Sequence, residues 1–373
     1  MRKNRILACA IIVVASGLFL RNHAFAQTDI RTVNGIQIVS NGMKPAPPPG
    51  VPTKIRLERD LILGAGSGEE EIFSEITAVA VDKDETIYVV DSKEARIKVF
   101  DREGRFLRAF GGKGQGPGEF VRPFGIFISP KDEILVDDSA RRRITVFSRE
   151  GNFLRNASAL PVPNPSMVKM DSQGNFIGLV QDIAGSTIIR KLNKYSPELA
   201  FLLTYDSTEM GNPLVSGFNY SETMIYYKID PWDRLYLGNA KAYEITVFTP
   251  DGKPVRKILK AYTPMKTPGA GEKEAAVNIP EIKKSIKFVL PEYSPPFLDF
   301  TIDEDGRLIV VVPRKSKSEK GHLFDVFDTE GRYISEFHFS DFPLLWKNKR
   351  LYAIEESEDE TPRLSRYRVS WER

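Results

Sequence analysis

Between Thr77 and Phe110 the apolar residues fall into four short runs, Thr77 to Val81, Ile87 to Val90, Ile97 to Phe100 and Phe106 to Phe110. Each is rich in Val, Ile or Phe and is bounded by turn-forming residues such as "DKDE" and "DREG". Runs this short, with breaks of that chemistry, predict β-strands joined by tight hairpins. Glycine supplies the positive φ such hairpins need, and aspartate caps the turn.

The pattern then repeats. Ile76 to Phe110, "ITAVAVDKDETIYVVDSKEARIKVFDREGRFLRAF", is followed by Phe124 to Ala157, "FGIFISPKDEILVDDSARRRITVFSREGNFLRNA". Asp82 maps to Ser129, Asp91 to Asp138, Arg96 to Arg143, Phe100 to Phe147 and Gly104 to Gly151, all at an offset of 47. Weaker copies begin at "MVKMDSQGNFIGLV", "IYYKIDPWDRLYLG" and "LDFTIDEDGRLIVVV". From the first-turn residue to the aromatic ending the third strand is 18 residues in three copies and 24 in two, as a fixed hairpin with a variable middle loop requires. Four-stranded meanders recurring at about 45 residues are propeller blades.

The blade count comes from the ends. "WKNKRLYAIEES" and "TPRLSRYRVSW" supply two or three strands of a sixth blade, and "TKIRLERDLILG" (Thr53 to Gly64) is a lone strand that can complete it and hide the open edges. Six is the expected number, or seven if Val255 to Pro296 holds a degenerate blade. Against that, Gly271 to Tyr293 spaces Ile279, Ile282, Ile286, Val289 and Leu290 at three and four, which predicts an inserted amphipathic helix. The expected fold is thus all-β: a six-bladed β-propeller of four-stranded antiparallel blades over residues 53–373, closed by an N-terminal strand, with a helical insertion at about 271–293. A Pro-rich leader covers 27–52.

The stretch "VAVDKDETIYVVDSKEARIKVFDREGRFLRAFGGKGQGPGEFVRPFGI" resembles NHL-repeat propellers, down to the "GPGEF" connector, and the ending is similar to the bacterial six-bladed, TolB-like group. The likeness runs from about Thr53 to Trp371 and is strongest in the first two repeats. It implies the architecture and leaves activity open, since propellers of this kind include protein- and RNA-binding scaffolds, lyases and lactonases.

The N-terminus reads as an address. Arg2, Lys3 and Arg5 precede fifteen apolar residues, Ile6 to Leu20, and Ala24-Phe25-Ala26 fits a cleavage site, so residues 1–26 are expected to be a Sec-type signal peptide and the protein periplasmic or secreted. The alternative, an uncleaved anchor, has fewer than the ~20 apolar residues a span needs. Cys9 is the only cysteine, so the mature chain has no disulfide and no thiolate metal ligand. The formal charge of +3 includes Arg2, Lys3, Arg5 and Arg21, which leaves the mature part near −1, and nucleic acid is not an expected partner.

Candidate site residues gather where the second strand of a blade turns into the third, the usual ligand face of such propellers. Arg96, Asp138, Arg142, Arg143, Tyr243 and Arg314 are the candidates for it. Arg141, Lys315 and Lys317 extend the basic rim, for which a protein segment or an anionic glycan is the expected ligand. The bland alternative has each Asp folding its own turn and each Arg bracing a neighbour, and recurrence with the repeat favours it. The run "GGKGQGPGEF" has the glycines of a phosphate loop but is followed by Pro and a strand, and so reads as a turn. Catalytic residues are not assignable. Only His322, on a loop, and His338 remain after the leader, and no metal-ligand spacing occurs, so neither cofactor nor metal is expected. The alternative is a propeller enzyme, a lyase or a metal-dependent lactonase or hydrolase at the channel mouth, for which Asp137, Asp138, Asp182 and Asn239 are the available set.

Overall fold

The computed structural model describes residues 28–66, 68, 70–157, 165–212, 218–219, 224–239, 241–267, 288–289, 291–313, 321–355 and 361–373. Six four-stranded antiparallel blades stand around a central axis. Their inner strands are Ile76–Val81, Pro123–Ile128, Ser166–Met170, Ile225–Ile229, Asp299–Ile302 and Phe342–Lys347. Each inner strand neighbours the next and the sixth returns to the first, so the ring is complete with six and has no place for a seventh blade.

The turn chemistry explains each blade. One Asp82 oxygen accepts the N–H groups of Asp84 and Thr86, both at 2.9 Å, and Asp171, Asp230 and Asp303 repeat this in blades three, four and five. In blade two the Ser129 hydroxyl substitutes, at 3.2 and 3.1 Å. The third turn locks blades together. Gly104 has φ +85°, and a Cβ there would stand 2.5 Å from Leu61 on the outer strand of blade six. Gly151, at φ +93°, sits the same way on the Phe110 ring of blade one. Glycine therefore supplies both the left-handed turn and the close approach to the preceding blade.

Between blades the core is aliphatic and aromatic, as between Val90, Ile97, Phe110, Phe120, Ile126, Val136 and Phe147. The middle of every third strand is nevertheless polar: Lys98, Thr145, Asn193, Thr246, Asp325 and Ser365 occupy the same ladder position. Five of the six find partners within the wall, among them Thr145 with Asn156 and Asn193 with Thr204 and Tyr195, so their polarity is satisfied locally.

The final blade takes its outer strand from the N-terminal side. Lys54–Leu63 pairs antiparallel with Arg363–Glu372, from Leu63 opposite Leu364 to Lys54 opposite Glu372. Residues 28–52 are more than a leader. Asp29–Val33 and Ile36–Asn41 form a hairpin whose second strand lies parallel to Pro254–Lys260, extending blade four to six strands. The hairpin turns at Asn34-Gly35, both at positive φ (50° and 79°), the conformation that Asn-Gly favours. From there the chain crosses blade five. Buried Asn41 donates to the carbonyls of Leu259 (3.0 Å) and Gly331 (2.9 Å) and accepts from the Tyr333 N–H (2.8 Å), and the Ala46 N–H reaches the Tyr333 carbonyl. One strap thereby joins blades four, five and six.

Most of the expected helix at 271–293 lies outside the described residues. Where its end is described, Phe288–Val289 is a short strand parallel to Phe218–Asn219 and Tyr293 bridges to Lys266, so the helical pattern does not run that far. No helix among the described residues is long and apolar enough to cross a membrane.

Candidate functional site

At the end of the ring where the inner strands begin, four of them break their ladder. Thr77 in blade one, Phe124 in blade two, Met167 and Val168 in blade three and Leu344 in blade six are left out of the pairing. Bulges of this kind re-aim side chains. Phe124 and Met167 are 41% and 39% exposed and form an apolar part of the channel rim, while the Thr77 hydroxyl is buried there without a partner.

Below this rim the wall is charged. Asp137, fourth residue of Ile134–Asp138 in blade two, occupies the ladder position that is Val90 in blade one, and it is only 1% exposed. Opposite it stands Gly125, where a Cβ would lie 3.5 Å from that of Asp137, so the glycine leaves the carboxyl room. One Asp137 oxygen accepts the Val168 N–H at 3.3 Å and the other has no partner. Burial raises its pKa to about 6, with Asp138 adding and the Val168 N–H and Lys169 opposing.

Lys169 and Lys228 hold matching positions on the inner strands of blades three and four, where blades one and two carry Ala80 and Phe127. Lys228 pairs with Asp299, the first inner-strand residue of blade five, at 3.0 Å. The second Asp299 oxygen accepts the Phe300 N–H at 2.8 Å. Burial and then Lys228 lower the pKa of Lys169 to about 8, against the pull of Asp299 and Asp137. Among the described residues its ammonium has no hydrogen-bond or ion-pair partner. Buried Tyr227 donates to the Met167 carbonyl, and burial holds its phenol well above the usual range. In ladder register Asp137 and Asp299 stand at one level and the two lysines two residues deeper.

The expected site residues are distributed differently. Asp138 is fully buried, and its oxygens accept the N–H groups of Val121 and Arg122, both at 3.0 Å, just as Asp91 holds Ser74 and Glu75. Arg143 donates to the Glu119 carbonyl at 2.6 Å, and Arg96 lies 3.7 Å from Glu70. These are braces between a blade and the connector beside it. Arg142, at φ 48°, is exposed on the loop. Tyr243 is not on the face: it is 3% exposed between blades four and five, its hydroxyl on Asp325, because an aromatic in that loop fills the seam. Arg314, Lys315 and Lys317 lie outside the described residues.

Asp182 and Asn239 do not join Asp137. Asp182 pairs with Lys191 at 2.8 Å on the long hairpin of blade three, and the Asn239 side-chain oxygen Oδ1 accepts the Lys241 N–H. His322 opens a strand instead of lying on a loop, and its ring packs on Phe324 and Phe342. The glycine run is a turn, with the Gly116 N–H on Glu119. Among the described residues no three His, Cys, Asp or Glu side chains gather as a metal cradle.

Asp137 makes a test of what the channel costs. Its carboxyl holds its proton to higher pH in the fold than in the unfolded chain, so folding disfavours its ionisation. The penalty is absent below pH 4, grows through pH 6 and is complete above it. Asp137→Asn, which removes the charge and keeps the shape, is expected to stabilise the protein by on the order of 2 kcal/mol at pH 7.5 and by nothing at pH 4. Urea melts at the two pH values check this, and an equal effect at both would contradict it.

A family model described as a 6-bladed beta-propeller matches residues 68–188. No curated protein matches the chain in sequence. Among solved structures, a Bacteroides fragilis protein described as exported is similar over 90% of this chain and 100% of its own, with 13% identity and a TM-score of 0.57. A member of the DUF4221 family from Bacteroides vulgatus is similar over 86% and 100%, with 14% identity and a TM-score of 0.51. Virginiamycin B lyase from Staphylococcus aureus follows at 11% identity and a TM-score of 0.47, over 84% and 99%.

Proposed function

We propose that this protein is an exported binding module that takes its ligand into the mouth of the propeller channel, between blades two and five. The observation that carries the reading is a pair of uncompensated groups below the rim: the free oxygen of buried Asp137 and the unpaired ammonium of half-buried Lys169. A buried charge is normally matched, so the open oxygen of Asp137, with the half-buried and unpaired ammonium of Lys169 in the same channel, points to a ligand that matches them. The wider face, with exposed Arg142 and the Arg96 rim, is where a protein or glycan ligand would extend the contact. Export rests on the leader, residues 1–26, and the Bacteroides fragilis protein of similar fold is described as exported too.

One observation favours a second reading, a lyase or hydrolase at the same mouth. A carboxyl titrating near pH 6 beside an amine titrating near pH 8 can take and return a proton at neutral pH.

The experiment uses protein recovered from outside the cytoplasm, expected to lack about its first 26 residues by mass. A library of small polar metabolites is screened by thermal shift against this protein and against Lys169→Met. At least one compound should raise the Tm of the first and leave the second unmoved. Hits that stabilise both alike place the ligand elsewhere, and disappearance of the hit compound on incubation puts the enzyme reading first.

A further inference from the structure

The charged wall can be closed as an account of its polar atoms. Lys228 is matched by Asp299, the second Asp299 oxygen by the Phe300 N–H, and the Tyr227 hydroxyl by the Met167 carbonyl. One Asp137 oxygen is matched by the Val168 N–H. Two charged atoms then remain without a hydrogen-bond or ion-pair partner among the described residues, the buried Asp137 Oδ1 and the Nζ of half-buried Lys169, and they are opposite in sign. They attract one another through space but do not form an ion pair.

Their placement is ordered along the channel. Asp137 is level with Asp299 near the mouth, and Lys169 is level with Lys228, two residues deeper. Two residues of strand amount to about 7 Å between backbones, and a lysine side chain spans part of it. A ligand with a single charge fits poorly. A lone anion at Lys169 faces the Asp137 carboxylate, and a lone cation at Asp137 faces the Lys169 ammonium, each at low dielectric where like charges repel strongly.

We infer that the channel recognises a small zwitterion, a free α-amino acid in its simplest form, with the ligand's ammonium on Asp137 Oδ1 and its carboxylate on Lys169 Nζ. The inference rests on the channel-mouth reading and names the ligand class for it. The carboxylate enters first and the ammonium stays nearer the rim, so the ligand's side chain lies toward exposed Phe124 and Met167, whose apolar surface suits an apolar side chain.

The test uses the free proteinogenic amino acids, their N-acetyl derivatives and their carboxamides, titrated calorimetrically into the mature protein. At least one free amino acid should bind, and either block should weaken it tenfold or more. The variants should separate the two contacts. Asp137→Asn, which keeps the fold, should bind the free and N-acetyl forms equally while still rejecting the amide, and Lys169→Met should lose discrimination against the amide alone. No binding by any free amino acid overturns the inference, as do blocked forms that bind as well as free ones or variants that lose both discriminations together. If a neutral or singly charged compound from the metabolite screen nevertheless binds in a Lys169-dependent manner, the zwitterion is wrong and the channel reading stands. If nothing depends on Lys169, both fall.

Discussion

Deleting residues 28–64 is expected to abolish the folded monomer. The outer strand Lys54–Leu63 supplies a ladder to nine residues, Leu364 to Glu372, and its loss leaves that whole edge open to other chains. The same deletion removes Leu61 and Leu63 from the core between blades six and one, and Ile55 and Leu57 from the core between five and six. Truncating a single buried Leu to alanine costs about 2–5 kcal/mol; losing buried Leu63, the three half-buried side chains and the ladder together rivals the roughly 5–15 kcal/mol that holds a domain together. Size-exclusion chromatography should show aggregate in place of monomer, with no cooperative thermal transition in the remainder. A truncated protein that runs as a monomer and keeps its Tm would mean that the ring closes without this strand.

Asp325→Ala is expected to cost about 3–5 kcal/mol, the largest effect of any single substitution in the wall between blades four and five. Its carboxylate, 1% exposed, receives the Tyr243 hydroxyl, the Tyr333 hydroxyl at 2.8 Å and the Lys260 ammonium at 2.9 Å. Burial, and then Asp325 itself, hold both phenols above their ordinary range, so at neutral pH both remain donors. Without the carboxylate, Lys260 is a buried cation with only the faces of Tyr243 and Tyr333, at 5.3 and 4.5 Å, to stabilise it. The double variant Asp325→Ala, Lys260→Met should recover part of the loss because no charge is then stranded. Denaturant melts of both check it; a single variant within 1 kcal/mol of the parent would show that the network is dispensable.

The blades were legible because their physics is local. At an offset of 47 the first turn recurs with serine for aspartate and the third-turn glycine recurs unchanged, and each acts on its own hairpin or its immediate neighbour. The braces were legible for the same reason: Asp138 and Arg143 repeat Asp91 and Arg96 and reach only to an adjacent connector. The N-terminal hairpin carried a readable signal, Asn34-Gly35 between alternating residues, which the proline-rich stretch after it obscured.

The channel groups were harder to see. Lys169, Lys228 and Asp299 lie in three blades, separated by 59 and 71 residues, inside strands whose pattern otherwise reads as apolar. A usable signal existed, since aligning the repeats on Asp82 and its equivalents places two lysines where earlier blades have Ala80 and Phe127. Tyr243 was misplaced because a loop position does not say which way a side chain turns, and its seam against Phe297 and Phe327 forms only once blade five is present.

The strap over blades four to six also fixes an order of events. Its hairpin needs Pro254–Lys260, Asn41 needs Gly331 and Tyr333, and the closing strand needs Arg363–Glu372. For a chain that emerges N-terminus first, the earliest residues thus wait on the latest, and loop-closure entropy over some three hundred residues stands between them. Blades one to three can form as they appear, but the ring is a bracelet whose clasp is made last. A polypeptide so wired stays open, and able to thread through a narrow passage, until its final residues arrive.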